Sequence, residues 1–133
     1  MVRTGGKLAI TSWGKNVFEP ANQVFWKAIE TERPDLYKHF TPWERISDPT
    51  SLKALLQAGK ATQVEVEEEI GIHELAAPED WWQMTLGGGC RGIIEQLYSA
   101  TKERIRQTNL EFLRTEKINA LDVDVLYAIA FKD

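Results

Sequence analysis

The stretch LGGGCRG, residues 86–92, contains the residue types best suited to binding a phosphate-bearing ligand. Gly87, Gly89 and Gly92 have the spacing G-x-G-x-x-G, which in dinucleotide sites lets backbone N–H groups approach a pyrophosphate. That chemistry needs a strand before the glycines and a helix after them. Residues 78–86 instead predict a short helix before the glycines, because Pro78 and two acidic residues suit a helix N-terminus. We therefore interpret the glycines as a helix stop and turn, where positive φ angles cost glycine little.

Aromatic residues could form an apolar substrate pocket. The chain has five tryptophans, and most are expected in the core because aromatic side chains bury large areas. Trp81 and Trp82 are adjacent in a predicted helix, where neighbouring side chains point about 100° apart, so both are not expected to face the core. Arg91 could bind an anionic substrate group, although pairing with a nearby carboxylate is commoner. The predicted substrate pocket comprises Trp13, Trp81, Trp82, Met84, Arg91 and Tyr98.

Nucleophilic and metal-binding chemistry finds little support. One cysteine and two histidines cannot assemble a zinc-type ligand cluster. Cys90 has no recognisable base nearby and is interpreted as a small buried residue rather than a nucleophile. His73 continues the glutamate face of a predicted strand, which favours a structural histidine over a general base. We predict no catalytic residue and no metal ligand.

One strand and two main helices are predicted in the first half. Residues 7–13 form a short apolar run bounded by glycines, which indicates a strand. A helix should begin at Pro20 and stop before Pro34, and a second should run from its Asp48 cap to Gly59. The residues expected to face inward are Ala21, Val24, Phe25, Ala28 and Ile29 in the first helix, and Leu52, Leu55 and Leu56 in the second.

The second half predicts two strands with opposite character. Residues 62–75 alternate between an apolar face and a glutamate face, which indicates a half-buried strand whose carboxylates discourage edge pairing. Its predicted inward residues are Val64, Val66, Ile70 and Ile72. Residues 123–131 are almost continuously apolar, which is typical of a central strand covered on both faces. Between these strands, residues 91–117 predict one or two helices, with Ser99 as a cap between them.

Composition restricts the class of protein. A chain of 133 residues suits one domain, residues 1–133, and its 43% hydrophobic content predicts a packed core. A net charge of −4 disfavours nucleic acid as a partner, because an acidic surface gains nothing from phosphate contacts. No apolar run approaches the ~20 residues that span a bilayer, and the N-terminus lacks signal-peptide architecture. We expect a soluble, cytoplasmic protein.

Read in order, the segments resemble the C-terminal half of class I S-adenosylmethionine-dependent methyltransferases, in the bacterial subset with inserts after the fifth and sixth strands. Residues 2–14, VRTGGKLAITSWG, resemble the loop and fifth strand, with Thr4 where the family has proline. Residues 18–56 resemble the following insert and helix. Residues 64–97 resemble the sixth strand and the segment over the acceptor substrate, and PEDWW…GGGCRG is the most specific part. Residues 123–133 resemble the seventh strand.

The resemblance implies an α+β fold: a small three-stranded mixed sheet, in the order fifth, seventh, sixth strand, packed with helices as a truncated Rossmann-like methyltransferase. In that fold the seventh strand is antiparallel to both neighbours. The sequence holds no counterpart of the family's cofactor-binding half, so no cofactor-binding residue can be carried over to it. The resemblance therefore implies methyltransferase ancestry and an acceptor-side segment without methyl transfer by this chain alone.

Two functions follow as expectations, and a third, a complete enzyme of another chemistry, is disfavoured because no nucleophile, base and orienting group occur together. The first is a non-catalytic module that self-associates and binds an apolar small molecule. The alternative is one half of a split methyltransferase that binds S-adenosylmethionine only when a separate cofactor-binding chain completes it. In the family's fold, a fourth strand pairs with the strand that residues 7–13 resemble, and the sequence holds no counterpart of it. We therefore predict a homodimer through this strand edge or the adjacent helices.

Overall fold

The computed structural model describes residues 2–39 and 41–133 and shows an α+β fold. It contains five helices, a three-stranded antiparallel sheet and a separate two-stranded sheet. The strands are β1 (Lys7–Trp13), β2 (Gln63–Glu69), β3 (Ile72–Glu74), β4 (Ala120–Asp122) and β5 (Val125–Phe131). The helices are α1 (Ala21–Glu32), α2 (Pro49–Ala58), α3 (Pro78–Gly87), α4 (Arg91–Ile94) and α5 (Ser99–Thr115). Short 3₁₀ turns occupy Pro34–Leu36 and Pro42–Ile46.

The chain folds into two compact units, each assembled from separate segments. The first comprises residues 1–17, 39–71 and 123–133, and the second comprises residues 18–38 and 72–122. Each unit has its own apolar core. The single domain expected from chain length stays a prediction.

The first unit is built on the three-stranded sheet, in the order β1-β5-β2. Both pairs are antiparallel, with Ile10 and Val66 opposite Ala128 on either side. The strand predicted at residues 7–13 is confirmed, and the C-terminal strand is central as its apolar sequence predicts. The expectation of a mixed sheet is wrong: β5 separates β1 from β2 and is antiparallel to both, so no parallel pair is formed among these strands.

Burial alternates along the central strand. Leu126, Ala128 and Ala130 are buried with Leu52 and Leu56 of α2. Tyr127 and Ile129, on the other face, are 44% and 46% exposed. The prediction that both faces of β5 are covered is wrong for the described chain, because α2 packs against one face only.

Helix α2 begins after Asp48 and ends before Gly59, as the capping and terminating residues predict. The Asp48 carboxylate accepts hydrogen bonds from the Ser51 N–H at 2.9 Å and the Ser51 hydroxyl at 2.7 Å. The helix ends at Ala58, directly before Gly59. Leu55, expected to face inward, is 53% exposed, because Leu52 and Leu56 already occupy the face that meets the sheet.

The strand predicted over residues 62–75 is broken in two, β2 and β3. The Gly71 carbonyl accepts a hydrogen bond from the Val123 N–H at 3.0 Å, and β3 then pairs with β4 instead of β5. Ile70 and Ile72, predicted to face inward, are 78% and 68% exposed. The break at Gly71 therefore takes both residues out of the three-stranded sheet.

The second unit is helical. Its core joins α1, α3, α4 and α5 with the β3–β4 pair. Helix α1 buries four of the five predicted inward residues, and only Val24 is partly exposed. Residues 91–117 form two helices, but Ser99 is the first residue of α5 rather than its cap. Among the described residues, no helix is long and apolar enough to cross a membrane.

Candidate interaction site at the sheet edge

Trp81 and Trp82, the centre of the predicted pocket, both lie in the core of the second unit, with 2% and 4% exposure. The expectation that adjacent helical residues cannot both be buried is wrong here. Helix α3 packs against both α4 and α5, so core surrounds more than one of its sides. Phe18 also contacts Trp81, with ring centroids 6.1 Å apart.

A buried hydrogen-bond chain fixes the indole of Trp81. Its Nε1–H donates to Asn109 Oδ1 at 3.0 Å, and Asn109 Nδ2 donates to the Ile105 carbonyl at 2.8 Å. Asn109 is 1% exposed, so it needs these bonds to offset its desolvation. This arrangement is typical of a structural core.

The other predicted pocket residues lie in different surroundings. Met84 packs against the same core as the tryptophans. Arg91 lies at the surface and pairs with Glu95 at 2.6 Å, which confirms the commoner interpretation of this arginine. Tyr98 is 82% exposed. Trp13 belongs to the first unit, on β1, and is 45% exposed.

The glycine stretch ends α3, as interpreted from the sequence. Its expected positive φ angles are absent: among the described glycines only Gly5 has one. At Gly88 (φ −114°) a Cβ atom would lie 3.1 Å from the Met84 carbonyl oxygen, so close approach accounts for the small residue. Burial raises the pKa of the adjacent Cys90 thiol to about 11. A protonated thiol is a poor nucleophile.

The remaining candidates for catalysis do not gather into a site. His73 lies on β3, exposed, and not on the glutamate strand to which the sequence assigned it. Within residues 2–39 and 41–133, no group of three or more His, Cys, Asp or Glu side chains could hold a metal ion.

The free edge of β1 is the feature best suited to interaction. In the described sheet, β1 has β5 as its one hydrogen-bonded neighbour. The Gly14 N–H donates to the Asp124 carbonyl at 2.7 Å, and antiparallel bonding recurs at every second residue. The N–H and C=O groups of the odd-numbered residues, from Lys7 to Trp13, therefore point away from β5. Lys7 is the strand's one charged residue.

The opposite edge has a different character. β2 carries four glutamates in seven residues, and all four side chains are exposed. Such an edge repels a second acidic strand, whereas the nearly uncharged β1 edge can accept one. Both strands lie at the edges of the described sheet, as the sequence predicts.

An apolar cavity of about 120 Å³ lies beside β1 in the first unit. Its walls include Leu8, Leu55, Leu56, Ala61, Ala130 and Phe131. Sequence reasoning missed it because Leu55 was assigned to the core. The sequence does show that α2 has a third leucine, so its apolar face is wider than the part that the sheet covers.

No protein-family model matches this sequence, and no curated protein matches it.

Proposed function

We propose that this chain is a non-catalytic domain that pairs with a second copy of itself through the β1 edge. The observation that carries the proposal is the contrast between the two edge strands of the described sheet: β1 has one charged residue and pairs with β5 on one side only, whereas β2 is lined with glutamates. Exposed edges of this kind are templates for strand pairing.

The spacing of β1 allows a symmetric pairing. A two-fold axis through Ile10 places Ala9 opposite Thr11 of the second copy, and Lys7 opposite Trp13. Ala9 and Thr11 direct their backbone groups away from β5, so the two antiparallel edges can exchange hydrogen bonds at these central positions. Lys7 would also lie close enough to the Trp13 ring of the second copy for a cation–π contact.

The cavity beside β1 is the proposed site for a small apolar molecule. The cavity is half open to solvent, and its volume of about 120 Å³ has room for a small apolar group. Leu8 contributes to the cavity wall and lies on β1, 38% exposed. A ligand here would therefore lie next to the pairing edge, and not beside Trp81 and Trp82 as the sequence predicts.

A second candidate is one half of a split S-adenosylmethionine-dependent methyltransferase. The strand order β1-β5-β2 supports it, since the resemblance places the seventh strand between the fifth and sixth and antiparallel to both. In this proposal a strand of a separate cofactor-binding chain, rather than a second copy, would pair with β1.

Proline substitution at the edge tests the first proposal. Thr11→Pro removes an outward N–H that the β5 ladder does not use, and proline is tolerated on edge strands. Sedimentation should show a dimer for the parent and for Thr11→Val, and a monomer for Thr11→Pro. Glu68→Pro on β2 is the matched control and should stay dimeric. A parent chain that sediments as a monomer at micromolar concentration contradicts self-pairing.

Titration calorimetry with S-adenosylmethionine tests the second. We expect the chain alone to show no specific binding, because residues 1–133 hold no counterpart of the family's glycine-rich turn or acidic ribose contact. Saturable one-to-one binding by the isolated chain would contradict the requirement for a separate cofactor-binding chain.

A further inference from the structure

The face of the three-stranded sheet opposite α2 is a separate surface, defined here as the open face. Odd-numbered residues of all three strands lie on it, because side chains alternate between faces. Its central row, on β5, consists of Val125, Tyr127, Ile129 and Phe131. The β2 row consists of Gln63, Glu65, Glu67 and Glu69, and the β1 row of Lys7, Ala9, Thr11 and Trp13.

The central row is apolar and accessible to solvent. Tyr127 is 44% exposed and Ile129 is 46% exposed, although both lie on the strand that is paired on each side. Trp13 adds a third large exposed side chain at 45%. The solvated face of an antiparallel sheet is usually polar, whereas this row is apolar and only partly covered.

Charge on the open face is strongly one-sided. Three glutamates flank the apolar row on the β2 side, and Lys7 is the single cation on the β1 side. Lys7 Nζ already lies 5.1 Å from the centroid of the Phe131 ring. A hydrogen bond to Glu69 raises the pKa of Tyr127, which ties the acidic row to the apolar one. The face thus combines an apolar stripe with an excess of negative charge along one flank.

We propose that the open face docks an amphipathic helix of another protein, with an apolar stripe on β5 and Lys or Arg residues along β2. Strands lie ~4.8 Å apart and same-face side chains recur every ~6.8 Å along a strand. A helix presents residues i and i+4 about 6 Å apart and is roughly 10 Å wide, so it covers two rows at once. A basic flank pairs with the three glutamates.

A second copy fits this face poorly. Each open face carries three glutamates and one lysine, so stacking two of them would bring together an excess of negative charge. Like charges placed against each other disfavour association. The open face and the β1 edge are therefore different surfaces with different occupants.

The probe is a fluorescein-labelled peptide of about 18 leucine and lysine residues, with leucines at helical i, i+3 and i+4 spacing. Fluorescence anisotropy measures its binding to the full chain. Two control peptides have the same composition in scrambled order, or glutamate in place of lysine. We expect binding of the amphipathic basic peptide only, weakening as salt is raised.

Charge reversal on the two faces of β2 provides the matched comparison. The double variant Glu65→Lys, Glu67→Lys should weaken binding roughly tenfold, since two attractive contacts become repulsive. Glu68→Lys changes the same strand on its other face and should alter the dissociation constant less than about twofold. Ile129→Ala should also weaken binding, because it removes apolar surface from the central row.

Several results would overturn the proposal. Equal losses for Glu68→Lys and the double variant would indicate non-specific charge attraction. Equal binding of the scrambled peptide, or an unchanged affinity in Ile129→Ala, would remove the role of the apolar row. If the amphipathic basic peptide does not bind at all, the docking proposal is wrong. Circular dichroism on each variant establishes that the fold is retained.

Discussion

At the scale of single residues, the hydrogen bond between Trp81 and Asn109 connects α3 to α5 inside an otherwise apolar core. Leaving one buried partner unsatisfied costs more than the bond itself contributes, because the orphaned group has lost its water. Neither residue's role could be inferred from the sequence. A lone asparagine in a helix usually faces solvent, and only the packing of α5 against α3 buries it.

Substituting Asn109 should therefore destabilise the fold. We expect Asn109→Leu to lower the free energy of unfolding by roughly 1–3 kcal/mol, since the Trp81 Nε1–H then lacks an acceptor. Chemical denaturation measures the change, and Thr108→Leu on the exposed face is the control. In a Trp81→Phe background, which removes the donor, the same Asn109 change should cost less; an equal cost would contradict the coupling.

Cys90 gives a second prediction. Burial raises its thiol pKa to about 11, so the reactive thiolate is scarce near neutral pH. We expect slow alkylation of the native chain by iodoacetamide at about pH 8, and faster alkylation as the pH approaches the raised pKa. Denaturant should remove the protection. Mass spectrometry follows the modification, and native alkylation as fast as that of the unfolded chain would contradict burial of the thiol.

At the scale of elements, local signals predicted more than long-range ones. The limits of β1, α1 and α2 follow from glycine and proline punctuation and from the Asp48 cap. The break between β2 and β3 does not, because it depends on Gly71 meeting Val123, a contact distant in sequence. Leu55 was misplaced for a similar reason, since helical periodicity identifies an apolar stripe but not how much of it a sheet will cover.

The Asp48 cap predicts a pH dependence. Hydrogen bonds from the Ser51 hydroxyl and N–H hold the pKa of the Asp48 carboxyl below the usual value for an aspartate. A carboxyl whose folded pKa is depressed stabilises the fold above its unfolded pKa, and the stabilisation is lost as pH falls through the folded value. Lowering the pH below about 4 should therefore reduce the free energy of unfolding of the parent more than that of Asp48→Asn.

Thermal denaturation near neutral pH completes this test. We expect Asp48→Ala to have a lower midpoint than the parent, because it loses the cap on α2. Asp48→Asn keeps an acceptor for the Ser51 N–H and should fall between them. If the three midpoints coincide, the cap contributes nothing measurable to the stability of α2.

At the scale of the whole molecule, the chain passes repeatedly between its two units, so neither unit is continuous in sequence. Periodicity and composition describe segments and cannot show which distant segments share a core. The candidate site divides in the same way. The uncharged β1 edge was predictable from its residues, whereas the cavity depends on how α2 meets the ends of β1 and β5.

Salt should separate the two proposed surfaces. Pairing through β1 relies on backbone hydrogen bonds and apolar contact, so we expect the dimer fraction to be nearly unchanged between low and high salt. Peptide binding on the open face relies partly on glutamates and should weaken over the same range. Sedimentation and anisotropy in matched buffers measure both, and a dimer that dissociates in high salt would argue against the β1 edge.

The glutamates of β2 have a consequence for how large an assembly can become. A sheet with two receptive edges can add copies without end, head to tail, and grow into a fibre. In the proposed dimer the β1 edge of each copy pairs with the β1 edge of the other, and the only edges left in the described three-stranded sheet carry the glutamates of β2. Because these edges repel each other, the assembly would stop at two copies. Neutralising the β2 edge, as in Glu65→Gln, Glu67→Gln, Glu68→Gln, should remove that termination. Light scattering over hours would then show species that keep growing, where the parent stays at a fixed size.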